Sequence, residues 1–167
     1  EDGLQHTIQL WSKSEVSNWR GERVNTSSFN FAGKVALVTG GSSGIGKATS
    51  LLFAQHGAKV VIGDTNPAGS ETVETIKRDG GEAVFVKTDV SDEGNVKNLI
   101  ATAVKTYGGL HCAFNNAGVL PPTVALVEME ESTFDKTLAV DLKGVFLCMK
   151  HEIAHMLQSG GGAIVNT

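Results

Sequence analysis

Between an apolar run, Lys34–Val38, and a helix-length stretch from Lys47 lies Thr39-Gly40-Gly41-Ser42-Ser43-Gly44-Ile45-Gly46. Glycines at this point let the chain turn sharply and let a ligand come close to the backbone. The helix behind the turn opens with unpaired N–H groups and the positive end of its dipole. A strand, a glycine turn and a helix start therefore make an anion site suited to phosphate. The spacing G-x-x-x-G-x-G departs from the common G-x-G-x-x-G, and it is the position of the turn that gives it weight. No Lys-Ser/Thr follows the glycines as in a triphosphatase loop, so a dinucleotide is the better fit. The plain alternative is a tight turn without a ligand.

The rest of the chain supports the same unit. Short β-branched runs recur at Lys34–Val38, Lys59–Gly63, Ala83–Val86, Leu110–Phe114 and Ala163–Val165. Between them, apolar residues step by three or four through Lys47–His56, Glu71–Arg78, Val96–Tyr107 and a long stretch near Glu131–Gln158. Continuous apolar strands alternating with helices predict βαβ units, a parallel sheet and a doubly wound α/β fold. In the long stretch Phe134, Leu138, Leu142, Val145, Met149, Ile153 and Met156 form one stripe, facing the core or a partner.

Residues 1–30 hold both tryptophans, Trp11 and Trp19, without a sustained period, and read as a loosely attached polar arm. An Asn25-Thr26-Ser27 sequon in this arm has no secretory context. Residues 31–167 form the folded unit. A net charge of −4 argues against a nucleic-acid partner. No apolar run approaches a membrane span, no leader is visible, and Cys112 and Cys148 are too few for a disulfide framework. A cytoplasmic protein is the expectation. The sequence starts at Glu1 and stops at Thr167 inside an expected strand, so it reads as a piece of a longer chain.

Asp64 closes the second strand eighteen residues beyond Gly46. A carboxylate there can accept from an adenosine ribose and repels a 2′-phosphate, and Thr65, Asn66 and Pro67 bring no cation. NAD is therefore expected over NADP, although Asp64 could also cap the next helix.

Taken together, these motifs resemble the short-chain dehydrogenase/reductase family over residues 33–167. Thr39–Gly46 resembles its T-G-x-x-x-G-I-G cofactor turn and Asp89-Val90 its adenine contact. Asn115-Asn116-Ala117-Gly118 resembles its N-N-A-G motif, Val140–Phe146 part of its long helix, and Ile164–Thr167 the strand leading to its serine. The resemblance implies a Rossmann sheet in the order 3-2-1-4-5 and hydride transfer between nicotinamide and a small-molecule alcohol or carbonyl. It implies that Gly40, Ser42, Ser43, Gly44, Ile45 and Gly46 hold the pyrophosphate. Asp64 would then take the ribose, Asp89 and Val90 the adenine, and Asn116, Ala117 and Gly118 the inner ribose. Pairing of copies through the helix at about 131–158 is also implied.

The chemical half departs from the family. Asp141 stands at the position of the family's relay asparagine, the one catalytic position this sequence fills. The serine would fall just past Thr167. Tyr-x-x-x-Lys is absent, because the only tyrosine, Tyr107, is followed at that spacing by His111. A cofactor-binding portion, weak or inactive alone, is expected; a non-catalytic NAD-binding or subunit-pairing module is the alternative. An exposed fifth strand would make the chain poorly soluble unless something covers it.

Two further motifs compete. Gly40-Gly41-Ser42-Ser43-Gly44 matches the G-x-S-x-G hydrolase elbow but lacks a histidine at a later loop end: His111 is expected inside a strand, and His151 and His155 mid-helix. His151-Glu152-Ile153-Ala154-His155 is a literal H-E-x-x-H, the remote zinc-hydrolase alternative. With no His, Asp, Glu or Cys after it to complete a ligand set, these residues read as a solvated or interface face, and no metal is expected.

Overall fold

The computed structural model describes residues 29–167. The arm's tryptophans and its sequon lie outside the described residues. Five parallel strands, β1 (Val35–Thr39), β2 (Lys59–Asp64), β3 (Glu82–Lys87), β4 (Cys112–Asn115) and β5 (Ala163–Asn166), form one sheet in the order β3-β2-β1-β4-β5. The register puts Thr39 beside both Gly63 and Asn115, so the ends of β1, β2 and β4 come level. The doubly wound Rossmann order expected above is therefore the observed one.

The helices cover both faces. α1 (Gly44–Gln55) and α2 (Gly69–Arg78) pack over a core containing Ala36, Val60, Ile62, Val73 and Ile76. On the other face, α3 (Glu93–Tyr107) and α5 (Val145–Met156) cover Val35, Leu37, Val61, Val96, Leu99 and Leu147. Alternate residues of β1 thus enter opposite cores, as the pleat requires. β1 is buried along its whole length, which is why it reads as an unbroken apolar run. Among the described residues, no helix is long and apolar enough to cross a membrane.

Helix starts differ most from expectation. α1 begins at Gly44, three residues before the apolar period, because its first turn is built from glycines that carry no periodic signal. α3 begins at Glu93 rather than Val96, because the Asp92 carboxylate accepts from Asn95 N at 2.8 Å and caps the helix a turn earlier. Gly108 ends α3 at φ 86°, the left-handed stop that glycine favours.

The long stretch is not one α-helix. α4 (Glu131–Thr137) runs into a π-helical segment, Leu138–Gly144, and then into α5. A π turn takes i→i+5 bonds, so it rotates the following residues away from a three-four period. The single stripe consequently divides. Met156 is buried against the sheet with Leu147 and Cys148, whereas the stripe's Phe134, Leu138, Leu142 and Ile153 are exposed, as is Phe146 beside them.

Candidate cofactor cleft

The carboxyl ends of the central strands open into a cleft of about 1010 Å³. Its walls include Gly40, Ser42, Ser43, Gly44 and Ile45 from the turn, Asp64 from β2, and Asp89 and Val90 beyond β3. Asn116, Ala117 and Gly118, which follow β4, form the opposite wall. The fold thus brings together every sequence-predicted cofactor residue except Gly46, which is packed beneath the turn.

The turn is built for close approach. Gly40 has φ 69°, and a Cβ on it would stand 2.9 Å from Ala117 Cα, so only glycine fits between the turn and the opposite wall. Behind it, Ser43 is the N-cap of α1 but its side chain makes no capping bond. The first N–H groups of α1 are left for an outside acceptor. A Cβ on Gly44 would meet nothing within 4 Å. This donor set and open space fit the pyrophosphate of a dinucleotide.

Asp64 does more than end a strand. Its Oδ2 accepts from Ser42 N at 3.0 Å and from Ser42 Oγ at 2.6 Å, and its Oδ1 accepts from Asn66 N at 2.9 Å. It therefore fastens the glycine turn to β2, and Oδ1 retains a lone pair for a sugar hydroxyl. The same bond counts against the hydrolase elbow: the Ser42 hydroxyl donates to the Asp64 carboxylate, and among the described residues no histidine lines the cleft with it. Asp89 is exposed, with Oδ1 accepting from Ser91 N at 2.9 Å and Ser91 Oγ at 2.6 Å.

Thr39 was legible only as part of the turn motif, yet it holds the two walls together. Its Oγ1 accepts from Asn116 N at 3.0 Å and from Ala117 N at 3.1 Å. Asn116 Nδ2 returns a bond to Thr39 O at 3.1 Å. Asp141 lies in the π segment, and its Oδ1 accepts from Val119 N at 2.9 Å. It ties down the loop after the β4 wall and is not itself among the residues lining the cleft.

The H-E-x-x-H residues part company. His151 Nε2 lies 2.8 Å from Glu93 Oε1, which also pairs with Lys150 at 2.9 Å. Those bonds hold the Glu93 carboxyl down to about 2. Glu152 is not solvated, contrary to the sequence expectation. It is 0% exposed, because it sits on the face of α5 turned to the sheet. Burial pushes its carboxyl up to about 7, against the opposing bond from Asn115. His111 also differs from expectation: it precedes β4, and its Nδ1 accepts from Val35 N at 3.0 Å. Among the described residues, no group of three or more His, Cys, Asp or Glu could hold a metal.

The Glu152 shift sets the sign of a pH effect. Its folded value, about 7, lies above the ordinary glutamate value of 4.5, so the folded state holds the extra proton between them. The stability of the neutral form is complete below 4.5 and is lost as pH rises through about 7. Melting temperature is expected to fall over this interval, and Glu152→Gln to flatten the profile. A variant profile as steep as wild type would show that another group is responsible.

A family model for short chain dehydrogenases matches residues 34–167, and the chain belongs to that family. An uncharacterized oxidoreductase of Thermotoga maritima is 46% identical over 82% of this chain and 54% of its own length. Cis-4-hydroxycyclohexanecarboxylate dehydrogenase of Sinomonas cyclohexanicum is 42% identical over 81% of this chain and 55% of its own. The crystal structure of a short chain dehydrogenase/reductase from Burkholderia phymatum in complex with NAD is similar, with TM-score 0.78 and 34% identity. That alignment covers 83% of this chain and 50% of the other. The chain thus spans about half the length of the relatives it matches.

Proposed function

We propose that this chain is the cofactor-binding portion of an NAD-dependent dehydrogenase acting on a small alcohol or carbonyl. The observation that carries the reading is the cleft in which an uncapped helix start, the Asp64 carboxylate and the Asn116–Gly118 wall face one another. Bound nicotinamide supplies or takes the hydride. The first amides of α1, with Ser42 to Gly46 around them, bind the pyrophosphate. Asp64 accepts from the adenosine ribose, while Asp89 and Val90 border the adenine. Asn116, Ala117 and Gly118 orient the inner ribose. Asp141 acts through Val119 N, holding the loop beside that wall. Tyr-x-x-x-Lys is not in this sequence, so the proton-transferring group is not among these residues. The NAD-bound Burkholderia structure and the Sinomonas relative's name, a dehydrogenase of a hydroxycyclohexanecarboxylate, support the reading.

The direct test is titration of the chain with NADH and NADPH, followed by fluorescence. NADH is expected to bind more tightly, since no cation stands at Thr65, Asn66 or Pro67 to meet a 2′-phosphate. Asp64→Asn keeps an oxygen for Ser42 but removes the charge. It is expected to narrow the preference about tenfold, a modest share of the repulsion between two near-surface charges. An unchanged ratio would release Asp64 from the ribose role.

A second reading, a subunit-pairing module, is supported by the exposed Phe134, Leu138, Leu142 and Phe146 on one helical stretch. Size-exclusion chromatography of the chain with and without cofactor separates it from the first: pairing without NADH binding favours the module.

A further inference from the structure

The cleft reading leaves one buried group unused. Asn115, the last residue of β4, is buried, and its Nδ2 donates to Glu152 Oε2 at 2.9 Å and to Asn166 Oδ1, on β5, at 2.9 Å. Two acceptors on its nitrogen side fix the orientation of the Asn115 amide. Its own oxygen, Oδ1, is buried without a partner, and so is Glu152 Oε1. These two bare oxygens belong to the same two side chains that already share a bond. An ionised Glu152 would leave both bare and bury a charge held by one neutral amide. A proton on Oε1 supplies the donor both oxygens lack and removes the charge.

Among the described residues no ion pair offers another remedy, and the further buried atom without a partner, His155 Nε2, lies one turn along α5. Glu152 takes part in none of the ion pairs among the described residues. On α5, Cys148 sits one turn before it, its thiol pushed up to about 12 by burial and by the Glu152 charge, and His155 one turn after. β4 and β5 present the neutral amides of Asn115 and Asn166. On α3, Glu93 is taken up by Lys97, Lys150 and His151.

We propose that Glu152 is a positioning residue of the cleft: as a neutral acid it forms a two-way acid–amide pair with Asn115, fixing the end of β4 from which the Asn116–Gly118 wall extends. The pair anchors α5 to the ends of β4 and β5, where Thr167 N also donates to Asn115 O at 3.2 Å. The significance of the wall rests on the cofactor reading above; the pair itself does not.

The test uses the full chain, labelled for NMR and titrated from about pH 5 to about pH 9, first without cofactor. The Glu152 carboxyl is expected to titrate near 7, with the Asn115 side-chain amide and the Ala117 and Gly118 backbone amides following the same midpoint. Glu152→Gln, which offers both an oxygen and an N–H to Asn115, keeps the wall resonances at their neutral-form positions throughout. Glu152→Met, of similar length, displaces them. A carboxyl that titrates near 4.5, the unperturbed value, overturns the proposal, as do wall amides indifferent to both variants.

NADH titration then reads the consequence. The Met variant is expected to bind about tenfold more weakly than wild type, the lower part of the range for losing the pair's two buried hydrogen bonds, while the Gln variant stays within about threefold. A Met variant as tight as wild type, or a Gln variant as weak as Met, overturns the positioning role. Absence of NADH binding by wild type, with the resonance shifts intact, overturns the cofactor reading alone.

Discussion

Gly46→Ala is expected to abolish measurable NADH binding and to destabilise the protein by about 3 kcal/mol, the upper part of the overpacking range. Secondary-structure propensity predicts the opposite. Gly46 is the third residue of α1, and alanine in a helix is worth about 1 kcal/mol over glycine. Space decides against propensity. A Cβ here would overlap the Gly40 carbonyl oxygen and lie 2.6 Å from Asn116 Nδ2. The first obstacle is backbone and cannot rotate away. The second is the amide that bonds back to Thr39 O, so its displacement opens the β4 wall as well. Gly44→Ala provides the contrast on the same helix, since a Cβ there meets nothing, although its φ of 51° makes any side chain strained. Thermal melting with NADH titration checks both. A Gly46→Ala protein that melts higher than wild type and still binds NADH would show that the turn is looser than its packing implies.

That steric argument shows what the sequence could and could not convey. The five strands were legible because each is a short apolar run, and β1, buried on both faces, carries no polar interruption. The glycine turn was legible because its chemistry is local: a phosphate needs backbone N–H groups, and close approach needs glycine. Asp64 was legible as a carboxylate at a strand end, but its bonds to Ser42 depend on β1 and β2 lying side by side, a neighbourhood no spacing in the chain records. The role of Thr39 was hidden for the same reason, since its partners lie 77 and 78 residues away.

Glu152 shows the limit from the other side. Its flanking histidines form a metal motif, and a glutamate on an amphipathic helix is ordinarily solvated, so neither reading placed it at 0% exposure. The π-helical segment just ahead of α5 shifts the helix face by a fraction of a turn. Periodicity projected through that segment mixes exposed Leu142 and Ile153 with buried Met156, and so misplaces the acid on the same helix.

The second large effect belongs to Thr39→Val. The two side chains are nearly the same size, and valine is the better strand former, so shape and propensity favour the variant by a few tenths of a kcal/mol. The hydroxyl outweighs this. Thr39 is 1% exposed, and its Oγ1 is the acceptor for both Asn116 N and Ala117 N. Removing it leaves two backbone donors without a protein partner. At about 1–3 kcal/mol for each orphaned group, the loss is about 3 kcal/mol, taking the lower part of the range because both residues are only part-buried. The damage is directional: β4 remains paired to β1, but the chain beyond Asn115 loses the bonds that turn it into the cleft. NADH affinity is therefore expected to fall further than melting temperature alone would suggest. Thr39→Ser keeps the oxygen and loses one methyl group, about 1 kcal/mol, and is expected to bind NADH nearly as well as wild type. Calorimetry and NADH titration of the three proteins separate the hydroxyl from the methyl. A valine variant that binds as wild type would mean that the wall keeps its place through Asn116 Nδ2 and the Thr39 carbonyl alone.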